Sequence, residues 1–224
     1  MSPQYTIAFA ALDNRGSFNV DRPRYSIGNS LSAKLSATPF EDRESGQKLT
    51  LGGGIDHTMD IHNGMLRLLT AVGQSGLGAL PAEGDKLTVE GDVSYSFKAF
   101  GHPITLEAEG LLSNFSGSKT KIGGGYVMAQ LSLFDTEIWG DLDLFVRHDV
   151  VNASAAGFGG SARHQAVRLG INYNPPPHFK KLINLHLEYA HNRIVGPAGM
   201  VFGPRDSDEL MLEIRASLQL YQRH

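Results

Sequence analysis

Ten stretches of this chain alternate apolar and polar residues with a period of two. The clearest spans 87–99, where Leu87, Val89, Val93, Tyr95 and Phe97 fall on one side and Thr88, Glu90, Asp92, Ser94, Ser96 and Lys98 on the other. Successive side chains of a strand point to opposite faces, so each run predicts a strand with one apolar and one polar face. The same reading places strands at 5–11, 31–37, 49–55, 104–112, 127–133, 138–146, 167–173, 183–189 and 210–220. Pro175, Pro176 and Pro177 separate two of them. Proline cannot donate a ladder hydrogen bond, so the pairing stops there in a turn. Pro39 is expected to end the strand at 31–37 for the same reason.

The connections alternate between long and short. Segments 13–24, 113–123, 151–163 and 192–208 read as long loops, and short turns fall near Glu41, Gly101 and Asp135. Residues 57–86 read as a further long loop, because Met65, Leu66, Leu68 and Leu69 cluster at helical spacing and Gly73, Gly76, Gly78 and Pro81 follow; a short strand at 65–72 is the competing reading. An even number of strands with turns short at one end and long at the other is the pattern of outer-membrane barrels. The fold class expected is therefore all-β, an antiparallel up-and-down transmembrane β-barrel of ten strands in a single domain, 1–224, with the long loop at 57–86. Phe40, Phe97, Phe100, Phe134, Trp139, Tyr173, Phe179 and Tyr221 gather at the short-turn end, as an interfacial girdle would; the alternative is that aromatic residues simply favour strands. A soluble ligand-binding barrel shares the alternation and turns its apolar face inward. The two readings differ in where Leu87, Leu131, Leu169 and Leu185 point.

Three stretches carry a resemblance: 166–190, with Arg168 and the run Asn172, Tyr173, Asn174, Pro175; 126–133 with 142–149; and 31–40. They are similar to the phosphate-selective porins of bacterial outer membranes, the O and P type. The likeness covers roughly the C-terminal two-thirds of that family. It implies an outer-membrane porin passing small hydrophilic solutes, including anions such as phosphate. Because such porins have about sixteen strands, it also implies that the chain is part of a longer barrel. No signal peptide precedes the first strand pattern, which fits a removed leader or a start partway into such a protein. Tyr221 is followed by Gln222, Arg223 and His224, where outer-membrane strands usually finish on an aromatic residue. Outer-membrane lipid, small hydrophilic or anionic solutes, and a homo-trimer mate or another envelope protein are the partners expected. A structural barrel whose loops bind such a protein is the alternative function.

Charge and composition narrow the chemistry. A net charge of −3 gives no reason to expect a nucleic-acid partner, and the absence of cysteine removes disulfide and thiolate chemistry. No apolar run reaches the ~18 residues of a membrane helix. If the apolar face meets lipid, Lys34, Lys98, Arg147, Arg168 and Arg215 line the pore. Arginine suits phosphate because its planar donors bind bidentately; the alternative is that these cations form cross-strand ion pairs. Glu90, Asp92, Glu107, Glu109, Asp141, Asp143, Glu188 and Glu213 share their face and outnumber them. Glu107 and Glu109 lie on one face, as a general acid/base pair would, but solvated pore charges are the reading favoured for them. Asp56, His57, Asp60 and His62 match no common metal spacing, and His186 and His191 fall on opposite faces. The triple glycines at 52–54 and 123–125 are expected to relieve crowding or permit bending rather than cradle phosphate. No nucleophile motif is present; no catalytic residue, cofactor or metal is expected, and the chain is not expected to be an enzyme.

Overall fold

In the computed structural model the described residues are 4–12, 30–69, 76–136, 140–175, 183–197 and 199–216. They form one antiparallel sheet and no helix. The strands are β1 (Gln4–Leu12), β2 (Ser30–Asp42), β3 (Gln47–Leu69), β4 (Gly76–Ala99), β5 (His102–Phe115), β6 (Lys121–Thr136), β7 (Gly140–Ser154), β8 (Ser161–Asn174), β9 (Ile183–Val195), β10 (Val201–Phe202) and β11 (Asp206–Ala216). Apart from the two-residue β10, each strand pairs with its predecessor and successor in the chain, so the order is up-and-down. The ten expected strands are all present. Among the described residues β1 pairs only with β2, and β11 only with β9.

Three expectations are corrected. Residues 57–69 and 76–86 are not a loop: they continue β3 and β4 as one long hairpin, paired from Thr58 with Lys86 to Leu69 with Gly76. The register shifts three times along this arm, and the irregularity explains why strict alternation is lost there. Pro39 does not end β2; the register shifts between Ala37 and Phe40, and pairing resumes to Asp42. Such an irregularity is where a strand tolerates proline. The expected loops at 113–123 and 151–163 are likewise mostly strand, with only 116–120 and 155–160 between strands.

Turn chemistry sets the short end. Phe100 and Gly101 both have positive φ, 53° and 83°, as a two-residue hairpin turn requires. Phe100 is fully exposed there. Between β2 and β3, Asp42 accepts hydrogen bonds from the Glu44 backbone N–H at 3.0 Å and the Ser45 hydroxyl at 2.6 Å. These donors, the serine first, hold its carboxyl below the usual aspartate range.

Along most of the sheet one face is apolar and exposed, here called the outer face. Leu31, Leu35, Ile55, Leu87, Val89, Leu112, Val127, Leu169, Leu210 and Leu212 all stand exposed on it. Leu169 is 50% exposed and Leu212 66%, so the leucines do not meet in a dry centre. The inner face is polar along the same length. Near the loop end it changes. Phe115, Ile122, Ala153, Ala162 and Ile194 follow the polar residues on the inner side and pack with Leu77 and Leu80 of the β3–β4 arm and with Met200. Leu77 also pairs with Val201 of β10. The sheet therefore curls, its inner face concave, so that β4 and the segment after β9 close over one apolar cluster.

The charged inner wall as candidate functional site

Just below that cluster, β7, β8 and β9 bring two arginines abreast. Arg147 and Arg168 are direct partners across the β7–β8 ladder. Alternation along each strand is what aims both inward. Two guanidinium groups so placed repel, and the acids around them remove the repulsion. Asp149 accepts from Arg147 Nε–H at 2.6 Å and, through its other oxygen, from Arg168 Nε–H. Glu188 accepts from Arg168 Nη1–H. The Arg147 guanidinium also stacks over the Tyr126 ring, 3.9 Å from its centroid, a favourable cation–π position. Beyond Glu188, the His186 ring stacks on Phe145 with centroids 5.5 Å apart, and its Nε2 lies 3.4 Å from Glu188 Oε2. The Phe145 ring crosses Gly170, where any side chain would overlap it.

On the other side of the wall, Lys34 of β2 reaches over β3 to Glu90, at 3.3 Å, and to Asp92, at 3.7 Å. Its path runs past Gly52 and Gly54, and a methyl group at either would meet the Asp92 or Glu90 carboxylate. The triple glycine thus makes room for acids on the neighbouring strand. Nearer the loop end, Lys86 pairs with Asp56 at 2.7 Å, and the Ser32 hydroxyl donates to the same carboxylate. Glu109 stands directly opposite Asp92, and Glu107 opposite Ser94, so the wall between the two arrays is acidic.

The five cations expected to line a pore separate accordingly. Lys34, Arg147 and Arg168 share the inner face, and each is held by carboxylates. Lys98 is exposed at the short end, its stem against Gly46. Arg215 lies opposite Asn184 in register; its side chain is outside the described set. Among the described side chains, Lys34, Arg147 and Arg168 are therefore engaged in ion pairs, the alternative weighed from the sequence. Asp149, Tyr126 and Lys86 were missed as members of this wall, and Asp56 was weighed only for a metal. The i, i+2 spacing of Arg147 and Asp149 on one strand face would have pointed to the first. Asp56 faces inward while His57 pairs with Leu31 on the outer side, and Asp60 has a φ of 55° with its N–H on Asp85. Among the described residues no three such groups converge on a metal position. His186 binds Asn172 and His191 binds Asp208, on opposite faces as expected. Of the expected girdle, Phe40 and Phe100 stand exposed at the short end and Tyr95 stacks on Phe97, with centroids 5.5 Å apart; Trp139, Phe179 and Tyr221 lie outside the described residues.

No protein-family model and no curated protein matches the chain. Among solved structures it is similar to OmpT, an outer membrane protein of Vibrio cholerae. The in-vitro folded trimer form matches with TM-score 0.48 and 13% identity, over 81% of this chain and 52% of that one. The loop L8 deletion mutant matches at 0.45 and 11%, over 88% and 73%. The outer-membrane expressed form matches at 0.44 and 11%, over 93% and 74%. The chain thus spans about half the length of the trimer-form structure. Likeness at this level says nothing of activity, and the antiparallel fold rests on its own strand pairing. The exclusion of enzymatic activity made from the sequence is accordingly withdrawn: missing motifs exclude those motifs alone, and similarity to these OmpT chains gives no ground for excluding catalysis.

Proposed function

We propose that this chain forms the wall of a β-barrel in the bacterial outer membrane that admits small hydrophilic solutes, cations before anions. One observation carries the reading: within the belt, exposed leucine, valine and isoleucine cover the outer face while the acidic and basic side chains stand on the inner face. That is the arrangement hydrocarbon outside and water inside select. Kinship with the phosphate-selective porins is part of the same proposal, without their anion preference. Lys34, Arg147 and Arg168 are neutralised by neighbours, and Glu107 and Glu109 add negative charge beside Asp92. A wall of that sign concentrates cations. Hydrocarbon does not tolerate unpaired strand edges, so the proposal requires β1 and β11 to be paired, with each other or with further strands. Reversal potentials of reconstituted channels in a salt gradient test it. Cation preference is expected; anion preference removes the charge assignment, and absence of conductance removes the pore.

A second reading, a plugged structural barrel, is favoured by the dry cluster of Leu77, Leu80, Ile194 and Met200 inside the loop end. It predicts no conductance from the intact chain. Conductance that appears only when the β3–β4 arm is shortened would support this reading over the first.

A further inference from the structure

The outer face bears a groove that the pore does not use. Gly53, Gly91, Gly110 and Gly125 are successive cross-strand partners from β3 to β6. Exposed Val89 and Leu112 stand on one side of this line, Val93 and Val127 on the other. The groove they bound has a volume of about 1070 Å³, at the upper end of the ~300–1,000 Å³ usual for ligand sites. Toward the loop end it runs into a second recess of about 410 Å³, with which it shares Leu112, Gly123 and Asn152. The lining of that recess is mixed: Asn114, Lys121, Asn152, Ser154 and Ser161 bring polar groups to walls that are otherwise apolar. Arg163, also exposed, is the direct partner of Asn152 across β7 and β8. The two recesses thus join an apolar channel inside the apolar belt to a rim end whose lining carries one cation, Lys121, with hydroxyl and amide groups, and which has Arg163 on the neighbouring strand pair.

We infer that this composite groove binds a lipid with a phosphate-bearing headgroup, the phosphate between Lys121 and Arg163 and an acyl chain across Gly110 and Gly91. An occupant that is apolar at one end and anionic at the other matches both halves; a flat apolar neighbour would leave the charged end unmatched. Lys121 offers a point charge and Arg163 a planar fork, the two side chains that recognise phosphate best. Ser154, Ser161 and the two asparagines add donors to its remaining oxygens. The inference rests on the outer face meeting lipid, as proposed above.

The test is native mass spectrometry of the whole chain from mixed micelles holding phosphatidylglycerol and diacylglycerol with the same acyl chains. The expected result is retention of phosphatidylglycerol about tenfold over diacylglycerol, since a charge-assisted contact is worth roughly that factor. Lys121→Gln combined with Arg163→Gln is expected to bring the two lipids to parity. Gly110→Val, and independently Gly91→Val, fill the groove and are expected to lower retention of both lipids about tenfold. A β-carbon meets nothing closer than 3.8 Å at Gly110 and 3.9 Å at Gly91, so a side chain can leave the backbone outward at both, and the retained fold of each variant is checked by its circular dichroism. Equal retention of both lipids by the unmodified chain, or variants that change nothing, overturns the inference and leaves the pore reading standing. Failure of the chain to enter vesicles at all overturns both.

Discussion

The two ends of the sheet obey opposite rules. In the lower part of β9, Leu187 is outside and Glu188 inside; near its top, Arg193 is outside and Ile194 inside. β7 repeats the inversion, from Val146 outside and Arg147 inside to Asn152 outside and Ala153 inside. Neither the backbone nor the alternation changes between these pairs. What changes is what each face meets. Below, the outer face is left to hydrocarbon and the inner face to water. Above, the β3–β4 arm and β10 cover the inner face, and the outer one is wet. Where the polarity crosses over marks the edge of the apolar belt.

The most severe challenge to this contrast puts the same charge at both ends. Ile194→Lys buries an ammonium in the dry cluster, where Ile194 is 1% exposed. It is expected to cost more than ~4 kcal/mol, the range reserved for unpaired buried charge, and equally in micelles and in vesicles. Leu169→Lys sits on the belt. It is expected to cost about 2–4 kcal/mol in vesicles and little in micelles, where the ammonium can reach water. Urea titrations of folding in both media read the difference. Equal behaviour of the two variants would mean that the inversion has no connection with a membrane.

A smaller effect probes the polar half. Arg168 is the centre of its network, and Arg168→Ala leaves Asp149 and Glu188 without it. The expected loss is about 3 kcal/mol, the lower end for breaking a mostly buried ion pair. Combining it with Glu188→Ala should restore part of that, a coupling of about 1–3 kcal/mol. Additive losses would show that the arginine acts through packing alone.

The lower half was legible in the sequence because one rule governs it throughout. Even a short run declares the faces: Leu142, Leu144 and Val146 stand against Asp141, Asp143 and Arg147. The upper half was read as loops for two physical reasons. Its inner face is apolar and its outer face polar, so a run such as Ala153 to Arg163 loses the expected phase. In the β3–β4 arm, three register shifts and Pro81, paired with Met65, break the period altogether. Of the wall, the sequence located Lys34, Arg147 and Arg168 on one face. Their partners depend on which strand residue stands opposite which, and register is a property of the folded pairing.

Thr120 tests how the arm is fastened in its inverted position. Its buried hydroxyl donates to the Pro81 carbonyl at 2.6 Å, bridging the β5–β6 turn to β4. Thr120→Val keeps the shape and leaves that carbonyl unsatisfied, an expected loss of about 1–2 kcal/mol. Hydrogen exchange should report it as faster opening of the arm, with the lower strands unchanged. Uniform acceleration along the sheet would mean that the two ends unfold as one unit and differ only in polarity.

The least disruptive comparison uses two glycines one strand apart, on opposite faces. Gly91 faces outward with nothing within 3.9 Å of an added methyl group. Gly91→Ala is expected to stabilise the chain by about 0.4–1 kcal/mol, because it removes freedom from the unfolded state at no steric cost. Gly52 faces inward, where the methyl group would overlap the Asp92 carboxylate. Since that carboxylate is a movable end, Gly52→Ala is expected to cost only about 1 kcal/mol. The displaced acid would move relative to Lys34, so channel selectivity should shift more than stability. The same methyl group thus has opposite signs on the two faces, and it does so because the inner face is crowded with acids that only glycine leaves room for. Equal effects of the two substitutions would remove that crowding as the reason for the triple glycine.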